Sequence, residues 1–292
     1  MKSVFITGAN GGLGLETAKL LAQEKLERFV LGARTLAKSE YAKNEVEKNG
    51  GVNANLETAG GFDMTNVEAI EKAVEALPKN KPFDTIFFQV GGVFFTDDYQ
   101  YQNHNGLKIE KTVFQNVIGS YVTLTNLEKA GLVAKNARIV FAGGEGARGI
   151  PGMIEKPVFT PQEFRNYVFG RGDQKKYNPM NAIGVSKLSS ALLVQKLAQM
   201  KDGNTYVWFT PGLTHGTNGL KELKGIKRFF METVAFGITG LLGLSQSPKK
   251  GAQKYFDSLT GEYGKNGDVL GSPEGKVLGK IVDQLPMNTS LG

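Results

Sequence analysis

The chain has 292 residues, 40% of them hydrophobic, enough for one large α/β domain with a real core. It has no cysteine and only two histidines, His104 and His215. That excludes disulfides, thiolate catalysis and cysteine-ligated metals, and argues against a histidine-built metal centre. The formal net charge of +7 favours anionic ligands. The basic residues are scattered and no nucleic-acid motif accompanies them, so no nucleic-acid partner is expected.

The first predicted element is a strand, "SVFITG", apolar and rich in β-formers. The N-terminus runs straight into it, which fits no signal peptide and suggests a cytoplasmic location. A glycine-rich turn follows, then a helix over "GLETAKLLAQE". "RFVLGAR" is a second strand and "AKSEYAKNEVEKNG" a polar helix stopped by Gly50 and Gly51. "ANLETAGGFDM" holds a third strand and "NVEAIEKAVEAL" a helix ended by Pro78. "FDTIFFQVGGV" is a strongly apolar fourth strand. "IEKTVFQNVIGSYVTLTNLEKAG" is a long helix, and "ARIVFAGG" a fifth strand. "NAIGVSKLSSALLVQKLAQM" and "TYVWFTPG" are a further helix and a sixth strand.

This alternation predicts an α/β fold: a doubly wound, mostly parallel sheet of about seven strands with helices on both faces. The whole chain, 1–292, reads as a single domain. Three segments interrupt the rhythm: an insertion at about 145–179, a segment at about 213–247, and a glycine-rich tail from about 260. Long segments at the carboxyl ends of parallel strands usually cover a binding crevice.

"TGANGGLG", Thr7–Gly14, stands between a predicted strand and a predicted helix, with glycines at 8, 11, 12 and 14. Such glycines let backbone approach a pyrophosphate, and the helix N-terminus behind them offers free N–H groups. A purely structural turn is the plainer alternative. The second strand ends on Ala33 and Arg34, where folds that prefer NAD usually place a carboxylate. A guanidinium there suits a ribose 2′-phosphate, so NADP(H) is the expected cofactor.

The pattern Thr-Gly-x3-Gly-x-Gly resembles the short-chain dehydrogenase/reductase family, whose fold is of the Rossmann type. The resemblance spans roughly residues 1–215. "RTLAKSE" and "SKLSSALL" are loosely similar to its retinol dehydrogenase and protochlorophyllide reductase branch. It implies that Gly8, Asn10, Gly12, Leu13 and Gly14 hold the pyrophosphate and that Asp63 with Met64 borders the adenine. It places Val90, Gly91, Pro211, Gly212 and Thr214 around the dinucleotide. Asn116 would support a proton relay, and Lys187 would bind the nicotinamide ribose and assist a catalytic tyrosine.

Three positions depart from the family pattern. "QVGG", Gln89–Gly92, replaces an Asn-Asn-Ala-Gly run. The family's serine falls on Gly143 or Gly144, and its tyrosine on Ile183. Carbonyl reduction needs a proton and a stabilising donor for the developing alkoxide, and neither isoleucine nor glycine has one in its side chain. Two readings stay open. One is an NADP(H)-dependent oxidoreductase acting on a hydrophobic small molecule, an activated C=C or a carbonyl, with a relocated proton donor. Tyr177 leads the donor candidates, ahead of Tyr167, Glu145 and His215. The other is a catalytically inactive NADP(H)-binding sensor, regulatory or assembly protein.

Residues 221–244 have a basic start and an apolar remainder. A substrate lid is the favoured reading and peripheral membrane contact the second. The helix Gly184–Met200 is apolar on more than one side, which suits either a homo-oligomer or an ordinary buried helix.

Overall fold

The computed structural model describes residues 1–172, 175–215 and 245–285. The segment 221–244, with the lid and membrane-contact readings attached to it, lies outside the described residues.

The main sheet is built from β1 (Ser3–Thr7), β2 (Arg28–Gly32), β3 (Leu56–Ala59), β4 (Phe83–Phe88), β7 (Val133–Ala142), β8 (Thr205–Phe209), β9 (Val269–Gly271) and β10 (Val282–Asp283). Their order is β10-β9-β8-β7-β4-β1-β2-β3, parallel throughout except for β10 on β9. About seven strands were expected, and among the described residues this sheet has eight; the last two come from the glycine-rich tail. The chain winds outward from β1 through β2 to β3, then returns to the other side of β1 with β4. The switch point therefore lies between β1 and β4, where ligands of open α/β sheets bind at the carboxyl ends of the strands.

Side-chain alternation along the strands divides the core into two faces. Phe5, Ile86 and Trp208 pack with α3 (Val67–Glu75), the helix through Gly119–Lys129 and α7 (Pro179–Ala198). Val4, Ile6, Phe87 and Phe209 pack with α1 (Gly12–Leu21), α2 (Leu36–Lys48) and α8 (Pro248–Thr260). Local chemistry sets the helix starts. Asn178 accepts N–H bonds from Met180 and Asn181, with Pro179 in the first turn of α7. Ser247 and Pro248 do the same for α8.

Two departures from the sequence reading occur between β4 and β7. Tyr101–His104 (β5) and Leu107–Glu110 (β6) form an antiparallel hairpin, where the start of a helix was expected at Ile109. The helix begins at Lys111 instead, as α4 (Lys111–Val113), passes through a π-helical turn (Phe114–Ile118) and continues as α5 (Gly119–Lys129). The insertion also carries structure: a 3-10 turn (Glu145–Arg148) and α6 (Pro161–Phe169), the latter started by a Thr160–Glu163 capping box.

Candidate functional site

One cleft opens at the carboxyl ends of β1, β4, β7 and β8. Leu13, Gln89, Gly91, Gly144, Ile183, Lys187 and the Thr210–Thr214 turn line it, together with Glu145, Met180 and Tyr255. It joins the switch point on one side to α7 on the other.

The glycine turn forms the first wall. Gly8 has φ +67, and a Cβ there would stand 2.8 Å from Gln89 Oε1. A Cβ on Gly14 would collide with the Gly8 carbonyl oxygen and lie 2.7 Å from the same Gln89 oxygen. Gly12 and Leu13 open α1, while Asn10 is half-buried in the turn itself. Gly11 caps α1 with no side-chain hydrogen bond, so the first N–H groups of the helix are left to a ligand or solvent. Thr7 ties the turn to β4: its hydroxyl accepts from Gln89 N at 3.1 Å and Val90 N at 3.4 Å.

At the end of β2, Arg34 faces Asp63 at 3.8 Å, both partly exposed. Asp63 also accepts from the Thr65 amide and hydroxyl, at 3.0 and 2.8 Å. Met64 is buried, and Gly119 of α5 packs so closely against its backbone that no side chain fits there.

The second wall is built around Lys187. The π-helical turn presents Asn116, whose Nδ2 donates to Gly92 O at 2.7 Å and Thr112 O at 2.8 Å. Its Oδ1 accepts from Gly92 N at 3.2 Å. A Cβ on Gly91 would lie 2.8 Å from both Asn116 Oδ1 and Lys187 Nζ, so Gly91 leaves room for each of these groups beside the cleft. Lys187 Nζ donates to Ala142 O at 2.9 Å. No carboxylate pairs with it among the described residues. Burial alone pushes its ammonium down to about 8.

Above this lysine the walls are apolar. Ile183 lies one helical turn before Lys187 and also faces the cleft. Gly143 lies against the Trp208 indole: a Cβ there would stand 2.6 Å from two ring carbons. Ser190 of α7 fixes that ring by accepting from Trp208 Nε1 at 2.8 Å. Gly144 is less crowded, with 3.2–3.5 Å from a Cβ to the Lys187 stem. Ile150, Ile154 and Met180 continue the apolar lining.

The turn after β8 closes the site. Gly212 has φ +97, and the Thr214 hydroxyl donates to Gly212 O at 3.2 Å. Gln246 Nε2 donates to Pro211 O at 2.6 Å, holding the turn against the start of α8.

The proposed donors separate on inspection. Tyr177 is 7% exposed and does not line the cleft; its hydroxyl bonds Phe94 O at 3.2 Å and Thr112 Oγ1 at 3.4 Å. The residue faces an aromatic cluster with Tyr99, and burial raises its phenol to about 12. Tyr167 belongs to the same cluster. His215 turns to Ser245, with Nδ1 3.0 Å from its hydroxyl. Glu145 does border the cleft, but Ser272 N and Gln284 Nε2 hold its carboxylate at 3.1 and 3.2 Å. Burial raises its pKa against those hydrogen bonds.

Sequence reasoning missed Gln89 as the side chain that covers the glycine turn, Trp208 as the occupant of the space beside Gly143, and Tyr255 in the cleft. Each depends on packing between elements distant in sequence, which no local motif encodes.

An open α/β sheet with an uncapped helix behind a glycine turn at its switch point defines a protein that takes its ligand at the strand ends. Residues 2–154 match the short chain dehydrogenase family, and the chain belongs to it. Short-chain dehydrogenase anuD of Penicillium roqueforti is 26% identical over 242 residues, covering 78% of this chain and 59% of that protein. The chloroplastic protochlorophyllide reductase of Daucus carota is 27% identical over 143 residues, 47% of this chain and 34% of that protein. The chain thus spans less than two thirds of the length of these curated relatives. Among solved structures, the actinorhodin polyketide ketoreductase with NADPH aligns at a TM-score of 0.57 and 20% identity, covering 89% of this chain and 90% of that one. L-sorbose reductase from Gluconobacter frateurii, complexed with NADPH and L-sorbose, aligns at 0.57 and 14% identity, covering 88% and 89%. Among the described residues no helix is long and apolar enough to cross a membrane.

Proposed function

We propose that the chain is an NADP(H)-dependent oxidoreductase acting on a hydrophobic carbonyl or activated-alkene compound, with a proton donor other than the family's tyrosine. The observation that carries this reading is that Leu13, which follows the glycine turn at the start of α1, and the buried Lys187 line one cleft. The residues fit a dinucleotide. Gly8 and Gly14 leave no room for a Cβ, and the N-terminus of α1 has no side-chain cap. Arg34 and Asp63 stand together at the end of β2, where adenosine ribose lies in folds of this kind. Arg34 supplies a cation for a 2′-phosphate, with Asp63 as its counter-charge in the meantime.

A bound NADPH would supply the hydride. The protein's part is to orient, to exclude water and to manage a proton. Ile150, Ile154, Met180 and Ile183 present apolar surface that favours a hydrophobic substrate and keeps water from the reacting carbon. Asn116 holds the Gly91–Gly92 backbone by paired hydrogen bonds, which fixes one edge of the cleft. With Ile183 and Gly143 carrying no hydroxyl, an activated C=C or a conjugated carbonyl is the easier substrate, because charge there is delocalised.

The second reading, a non-catalytic NADP(H)-binding protein, is favoured by one observation: Trp208 fills the space beside Gly143. Titrating the protein with NADPH and NADH by fluorescence, then following NADPH oxidation with enals, enones, quinones and aldehydes, separates the two. Turnover on any of these classes supports the enzyme. Tight NADPH binding with no turnover supports the second reading, and absence of binding overturns both.

A further inference from the structure

We propose that Lys187 itself delivers the proton that completes reduction in this cleft. This inference rests on the oxidoreductase reading and assigns the donor that reading leaves open.

The reasoning is one of position and partners. Lys187 Nζ sits beside Gly91 and Asn116 and holds one acceptor, Ala142 O, so two of its three N–H bonds are free of side-chain or backbone acceptors among the described residues. Among the described residues, the elements packed around it bring no charge to it. The π-helical turn contributes the neutral Asn116 amide, the strand-end loop contributes Gly91 and Gly92, and β7 ends in Ala142, Gly143 and Gly144. Within α7, Ile183 precedes it on the same face. The cleft's carboxylate, Glu145, is turned to Ser272, Gln284 and Arg148. The phenol in the cleft, Tyr255, is packed by its ring on Phe87 and Phe209, on the face of the sheet opposite α7. An ammonium buried without a counter-ion is destabilised relative to its neutral amine, which makes it a better acid than a surface lysine. Its shift down to about 8 follows from that burial.

The step balances. Hydride adds to the electrophilic carbon of a carbonyl or enone, and the displaced π pair moves to the carbonyl oxygen. One Nζ–H bond of Lys187 breaks and its proton joins that oxygen. The bonding pair stays on nitrogen, leaving a neutral amine. The products are an alcohol, or an enol that tautomerises to the saturated ketone, and the oxidised nicotinamide. The amine then takes a proton from water.

The test combines a direct titration with kinetics. In protein labelled with carbon-13 at lysine Cε, one resonance, assigned by its loss in Lys187→Gln, is expected to titrate near 8. In the wild type, kcat with the best substrate of the panel should fall about tenfold per unit above that pH. Lys187→Gln should lower kcat about a hundredfold or more and remove the pH step, while the NADPH Kd moves less than about tenfold. Lys187→Arg keeps the charge but not the acidity, so it should bind NADPH and fail to turn over. A Lys187→Gln variant that loses only NADPH affinity, a pH step that persists in it, or the absence of any lysine titrating below about 9 overturns the proposal. Wild-type binding without turnover would instead sink the oxidoreductase reading on which the proposal rests, and failure of the wild type to bind NADPH would sink both readings of the chain. Because the titration and the wild-type profile need no variant to fold, the proposal stays exposed even if Lys187→Gln is unstable.

Discussion

The turn after β1 and the end of β7 both carry glycine, for opposite reasons. At the turn after β1, Gly8 and Gly14 are glycine so that backbone can come close to backbone and to Gln89, leaving N–H groups open to a ligand. At the end of β7, Gly143 is glycine because the Trp208 ring occupies the volume where a side chain would begin. The first set creates access for an anion. The second is a space already filled by a neighbouring ring. Absence of a side chain is therefore not one signal, and only the neighbours distinguish an opening from a filled space.

The comparison breaks most severely at the turn. Gly14→Val should weaken NADPH binding by more than about a hundredfold, since any Cβ there strikes the Gly8 carbonyl. Fluorescence titration beside circular dichroism would show it, and an unchanged Kd would mean that the turn does not hold the cofactor.

Next comes the filled end. Gly143→Ser should destabilise the fold by about 1–3 kcal/mol through overpacking on the indole. Pairing it with Trp208→Leu should recover part of that loss. A double-mutant cycle in urea checks it; strict additivity would show that the two residues do not share the space.

A third effect has the reverse sign. Lys187 has a folded pKa of about 8 against an ordinary 10.5, so the unfolded chain binds the extra proton between those values. Folding is thus penalised below pH 8, and the penalty fades as pH rises toward 10.5. Lys187→Met should raise stability by about 2 kcal/mol at pH 7 and by much less near pH 10.5. Equilibrium unfolding at the two pH values measures this, and a gain independent of pH would contradict the assignment.

Arg34→Ala should narrow the preference for NADPH over NADH by about tenfold, as expected for one exposed cation on a phosphate. Equal loss of both affinities would move the 2′-phosphate site elsewhere. The smallest effect belongs to Tyr177→Phe. Its hydroxyl bonds Phe94 O and Thr112, outside the cleft, so turnover should stay within about threefold. A large fall in kcat would bring the aromatic cluster back into the mechanism.

The parallel sheet was legible because its strands are apolar runs alternating with helix-period segments, a pattern that ladder geometry enforces. The hairpin over 101–110 was not foreseen, although Asn105-Gly106 is a strong two-residue turn signal and both residues take positive φ. Ile109 and Glu110 were drawn into the following helix because they match its period as well as the strand's. Glu110 in fact caps that helix, accepting from Val113 N at 2.8 Å. At the site, the glycine turn and Lys187 could be named from local motifs. What stands around Lys187 could not: Ala142 O lies 45 residues away along the chain, and the partner of Gly143 is on another strand.

The contact between Gly143 and Trp208 also constrains how a hydroxyl could be introduced at position 143. A serine arriving first meets the indole and destabilises the fold before it can help any reaction. A smaller residue arriving first at 208 removes a fully buried ring and its bond to Ser190, and leaves a cavity with no immediate use. Each single step is costly and only the pair avoids the cost. The two positions are therefore coupled, and a side chain at position 143 requires two coordinated changes on neighbouring strands.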